Sequence, residues 1–99
     1  MSQQVIDFLN DLPDASEGHE VSEFGVYFDN QEVTVRVIDR GADSGHIRYT
    51  VEAWLSASTH LPPWERGNGY SSGNAAPTLE LALHEVHWNA IRNEALKDD

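Results

Sequence analysis

His84 and His87 stand three residues apart in Leu83-His84-Glu85-Val86-His87-Trp88. An i, i+3 pair on a helix can hold a metal, but the zinc-hydrolase pattern wants His-Glu-x-x-His, with its histidines four apart. A third ligand would have to come from His19, His46, His60 or a carboxylate, and no spacing directs one there. Surface or packing histidines are the simpler reading, so neither a metal nor a cofactor is expected. Ser71 and Ser72 follow His60, yet Gly69-Tyr70-Ser71-Ser72-Gly73 is not the Gly-x-Ser-x-Gly of a nucleophile elbow. Gly67, Gly69 and Gly73 precede a helix without the lysine that a phosphate loop requires. General acid–base work needs carboxyls in a pocket that drives their acidities apart, and a chain of 99 residues has little room for one. No catalytic residue is expected, and the chain reads as non-enzymatic.

The strongest chemical signal is charge. Seventeen Asp and Glu stand against six Lys and Arg, a formal net charge of −11. The first base is Arg36. Asp7, Asp11, Asp14, Glu17, Glu20, Glu23, Asp29 and Glu32 precede it, so the first third carries −8 and the remainder −3. Binding nucleic acid by neutralising phosphates needs a surplus of Lys and Arg, which this chain lacks. Two readings remain: a solvated acidic face, or an acidic surface that meets a basic one. The absence of cysteine removes disulfides, thiolate zinc sites and thiol nucleophiles. No apolar run approaches the roughly 20 residues of a membrane span. Met1-Ser2-Gln3-Gln4 does not resemble a secretory leader, so a cytoplasmic protein is expected.

The elements that must position these residues follow from periodicity. Val5, Phe8, Leu9 and Leu12 recur on one face of a helix over 3–12, which Pro13 ends. An acidic loop leads to a strand over 21–29, where Phe24, Val26 and Phe28 alternate with Glu23, Gly25 and Tyr27. Strand 32–39 alternates Val33, Val35 and Val37 with Thr34, Arg36 and Ile38. Strand 46–56 turns Ile47, Tyr49, Val51, Ala53 and Leu55 inward and His46, Arg48, Thr50, Glu52 and Trp54 outward. Residues 57–77, rich in Pro, Gly, Ser and Asn, read as one long loop, and Thr78 caps a helix over 79–96. The expectation is a single α+β domain over 1–99, ordered α-β-β-β-α, with a three-stranded antiparallel meander and both helices on one face.

The last helix carries two apolar stripes. Leu79, Ala82, Leu83, Val86 and Ala90 suit a sheet; Leu81, His84, Trp88, Ile91 and Ala95 form a second seam. Either the N-terminal helix or a partner subunit must cover Trp88. Trp64, between Pro63 and Glu65 in the long loop, is the other candidate anchor, and Trp54 is expected on an open sheet face.

Two resemblances arise. The segment from Gly67-Asn68-Gly69-Tyr70-Ser71 through Thr78-Leu79-Glu80-Leu81-Ala82-Leu83 resembles the glycine-rich, capped approach to the final helix of double-stranded-RNA-binding-type domains and small antitoxin-like proteins. Glu80 stands where the RNA binders place basic residues, so RNA binding does not carry over. In size, acidity and compact α+β plan the whole chain resembles small phage and mobile-element counter-defence proteins, the anti-CRISPR and DNA-mimic type. That resemblance implies a non-enzymatic inhibitor of a basic nucleic-acid-handling machine such as a CRISPR effector. The expected contacts are Asp7, Asp11, Asp14, Glu17, Glu20 and Glu23 for steering, with Trp64 or Trp88 as anchor. The alternatives are a homodimeric accessory or antitoxin-like module joined through Leu81, Trp88 and Ile91, and a small histidine metalloprotein.

Overall fold

The computed structural model describes residues 2–97. Helix α1 (Ser2–Asn10) precedes strands β1 (Glu20–Phe28), β2 (Gln31–Asp39), β3 (Tyr49–Leu55) and β4 (Tyr70–Ser72). Two helices follow, α2 (Leu79–His84) and α3 (Trp88–Ala95). The strands form one antiparallel sheet in the order β1-β2-β3-β4. The fold is α+β, as the alternation and the two terminal helical patterns imply.

Strand β3 starts at Tyr49 and not at 46, because Ala42–Ile47 form a 3₁₀ segment that leaves Ile47 half exposed. Three further details differ from the expected arrangement. First, the long connection is mostly ordered. It runs through short 3₁₀ turns and contains β4, which extends the sheet beyond β3. Beyond β4, Ala76 and Tyr49 exchange two backbone bonds of 2.9 Å, so this edge of the sheet is largely satisfied. Three residues are too short for alternation to reveal a strand.

Second, helix 79–96 is two helices, and this accounts for its two stripes. His87 has φ −82° and ψ 72°, an inverse γ-turn closed by the Trp88 N–H on the Val86 carbonyl at 3.0 Å. The broken helical bonds are replaced. The His87 N–H donates to Ser71 Oγ at 3.0 Å, and the Leu83 carbonyl accepts Trp88 Nε1–H at 2.7 Å. Gly73 permits this close approach, since a Cβ there would lie 2.6 Å from that of Glu85. The kink turns Ala82 and Val86 from the first stripe, and Ile91 from the second, into one core with Val33, Val35, Val51 and Ala53, and Ala95 is buried beyond it.

Third, α1 does not share the face that α2 and α3 cover. It borders a cavity with Ile38, which alternates to the side of the sheet away from Val37. Of its apolar residues only Ile6 is buried, and it lies outside the main core cluster.

Candidate protein-interaction surface

Helix α1 is docked by its polar side. At 100° per residue, Gln3, Ile6, Asp7 and Asn10 share one flank, and these residues line the cavity against Ile38, Arg40, Ser44 and Ile47. Gln3 Oε1 accepts the Ala42 N–H at 2.7 Å, and Asn10 Oδ1 accepts the Gly18 N–H at 2.6 Å. Val5, Phe8 and Leu9 lie on the opposite flank. With Leu12 just beyond the helix, they are exposed, Phe8 to 66%. An amphipathic helix ordinarily buries its apolar side. Here that side has no partner, because α1 lies off the face that α2 and α3 cover and turns its polar flank toward Ile38 and Ile47.

The acids gather around this arm. Asp7, Glu17 and Asp43 border the same cavity, and Asp11 and Asp14 continue from the helix end. Asp14 and Glu17 adopt positive φ of 65° and 58°, so two non-glycine residues bend the strap that returns to β1. Among the described residues, Asp7, Asp11, Asp14, Glu17 and Glu20 take part in no ion pair. The bases are engaged elsewhere. Arg36 pairs with Glu23 at 3.0 Å and with Glu52 at 3.8 Å, Arg48 with Asp39 at 2.8 Å, and Lys97 with Glu94 at 2.9 Å. Arg40 donates to the Ile47 carbonyl at 3.0 Å and to Thr50 Oγ1 at 2.8 Å. Arg92 is exposed on α3, away from the arm. Glu23 therefore belongs to a cross-strand ion pair and not to the free acidic arm.

The tryptophans separate from the acids. Trp54 does alternate to the outer side of β3, but that face is closed: the residue is only 2% exposed. The guanidinium carbons of Arg36 and Arg66 each lie 4.9 Å from its ring centroid, and its Nε1–H donates to Thr59 Oγ1 at 2.9 Å. Arg66 secures the covering segment through the carbonyls of Ser58, Thr59 and Leu61. Trp88 is half-buried against the core, and Ile91 is fully buried. The seam of Leu81, Trp88 and Ile91 is therefore not a continuous surface. Trp64, in a 3₁₀ turn over Pro63–Glu65, is 82% exposed. It follows the Leu55 end of β3, whereas the acidic arm sits by the Tyr49 end, so Trp64 and the arm lie at opposite ends of the sheet.

His84 and His87 are exposed, and no group of three metal-ligating side chains occurs among the described residues. Ser71 is buried, and its hydroxyl is occupied by the His87 N–H. Among the described residues no helix is long and apolar enough to cross a membrane.

A second apolar surface escaped the sequence reading. Phe24, Val26, Val35, Val37, Leu79, Leu83 and Trp88 line an open groove of about 330 Å³ between β1 and the two C-terminal helices. The helices total fourteen residues and cover β2 and β3, leaving the core side of β1 bare. Comparison with protein-family models, curated proteins and solved structures finds no match to this chain.

Proposed function

We propose that this is a non-enzymatic binding protein whose N-terminal arm docks on a basic, nucleic-acid-handling protein and inhibits it, as an anti-CRISPR or other DNA-mimicking protein would. The observation that carries the reading is the inverted seating of α1. Phe8, Leu9 and Leu12 face outward beside Asp7, Asp11 and Asp14, which have no ion pair among the described residues. Such a surface fits an apolar groove rimmed by Lys and Arg. The apolar residues supply the hold, and the acids speed encounter and set orientation. The arm's carboxylates are available for this role: Arg36 is engaged by Glu23 and Glu52, Arg48 by Asp39, Arg66 by Trp54, and Arg40, which borders the arm's cavity, by the Ile47 carbonyl and Thr50.

Calorimetric titration against a CRISPR effector ribonucleoprotein, repeated at ~0.05 and ~0.2 M salt, tests the reading. Affinity should fall with salt. Replacing Asp7, Asp11 and Asp14 together by lysine should weaken binding by about 10- to 100-fold. Binding that ignores both salt and charge reversal would remove the acidic arm from the interface. No binding to the effector would remove that target.

A further inference from the structure

The free edge of the sheet is the second surface that asks for a partner, and it is independent of the acidic arm. Strand β1 is an edge strand of nine residues with neither Pro, Lys nor Arg, the usual devices that keep edges apart. Both of its sides expose large apolar residues, Phe24 (60%) and Val26 toward the groove and Val21 and Tyr27 away from it, the latter flanking Glu23.

Its backbone is self-complementary. A two-residue turn, Asp29-Asn30, joins β1 to β2, and such a turn is closed by a hydrogen-bonded pair, here Phe28 and Gln31. Backbone groups alternate along a strand, so Ser22, Phe24, Val26 and Phe28 address β2. Val21, Glu23, Gly25 and Tyr27 address the open edge. These four positions are symmetric about Phe24. An antiparallel copy centred there sets Val21 against the second copy's Tyr27, and Glu23 against its Gly25, satisfying every outward N–H and carbonyl between Val21 and Tyr27. Centring on Glu23 would oppose like charges. Centring on Gly25 would set Val21 against Asp29, beyond the strand.

We propose that this protein forms a two-fold dimer through antiparallel pairing of β1 with β1 of a second copy, centred on Phe24, giving a continuous eight-stranded sheet. At this register Phe24 meets its own copy at a non-hydrogen-bonded position, where side chains approach most closely. Ser22 faces Val26 on the same side, and the two apolar grooves merge around the axis. The charge distribution admits a copy despite the −11 on each chain. Glu23, the acid nearest the axis, is already paired with Arg36. It faces the second copy's Gly25, whose side-chain space is filled by that copy's own Glu32 carboxylate, so the dimer should tighten as salt screens this acid pair. A strip ~30 Å long with a side-chain layer of ~10 Å on each side of the sheet buries about 600 Å² per copy. That is the lower bound of specific interfaces, so the expected dimer is reversible.

Sedimentation velocity over a concentration series reads the mass directly. The unmodified chain should approach twice 11.1 kDa at high concentration. Phe24→Lys, at an exposed position, should keep the circular dichroism and thermal midpoint of the parent while shifting dissociation at least tenfold toward monomer. Phe24→Cys should form a disulfide-linked dimer under mild oxidation, whereas Val26→Cys should not, since the chain has no other cysteine and only position 24 meets itself. A chain that stays monomeric at millimolar concentration overturns the proposal. So does a dimer indifferent to Phe24→Lys, or a monomer whose edge instead takes up an extended apolar peptide.

Discussion

Asp39 shows how single side chains fix the seat of the acidic arm. Its carboxylate accepts two bonds from Arg48, at 2.8 and 3.2 Å, and a third from the Gly41 N–H at 2.9 Å. Gly41, at φ 95°, turns the chain into the segment where Gln3 takes the Ala42 N–H, and a Cβ at Gly41 would meet the Gln3 amide at about 3 Å. The Arg48 hydrogen bonds hold the Asp39 carboxyl below the ordinary carboxylate range, outweighing the opposing effect of burial. A depressed folded-state pKa contributes stability above the unfolded value, near 4, and loses it as pH falls through the folded value. Urea titrations from neutrality into acid should therefore show Asp39→Asn less stable at pH 7 and flatter on the acid side. Equal acid slopes for parent and variant would refute the assignment. The same chemistry at Arg66 closes the opposite end of the sheet, through three carbonyls and the rings of Trp54 and Tyr70.

At the scale of elements, α1 tests whether an apolar stripe is a core face or a display. Ile6 is 2% exposed and Phe8 66%. Ile6→Ala should cost about 2–4 kcal/mol in thermal or urea unfolding, whereas Phe8→Ser should change stability by less than about 0.5 kcal/mol while weakening partner binding. Comparable losses from both would place Phe8 in a core. The three long strands and their inward Val33, Val35, Val51 and Ala53 were legible, because alternation is a local signal. The side on which α1 lands was not. Its stripe points to a buried face, but placement depends on how much sheet α2 and α3 leave free, and that is a tertiary quantity. The kink at His87 was equally hidden. Val86, His87, Trp88 and Asn89 are weaker helix formers than their flanks, a faint signal that the apolar spacing on either side masks, and the break is held by Ser71 and the close approach of Gly73, far away in sequence. Of the candidate contacts, the acidic block from Asp7 to Glu20 was legible in the lack of any base before Arg36, but its freedom from ion pairs among the described residues is a tertiary property. The loss of Glu23 to Arg36, and of Trp54 to the loop above it, needed the strand register.

The whole molecule is drawn out, 50 × 26 × 23 Å with a radius of gyration of 15.2 Å, against about 13 Å for an average domain of this length. Elongation sets the acidic end apart from Arg36 and Arg66. Arg40, which borders its cavity, donates to the Ile47 carbonyl and Thr50 and forms no ion pair among the described residues, so repulsion within the arm is relieved mainly by solvent and counterions. Raising the ionic strength from ~0.01 to ~0.15 M shortens the screening length from ~30 to ~8 Å, which removes the long-range part of the repulsion among these acids. Salt should therefore tighten the seating of α1 while weakening capture of a basic partner. The first effect is intramolecular and is read by amide hydrogen exchange: protection of residues 2–10 should rise with salt, and that of β2 and β3 should change little. The second is read by the partner's affinity, which should fall over the same range. If protection of α1 fell with salt, charge attraction would be holding the arm down, and its carboxylates would not be free to meet a partner.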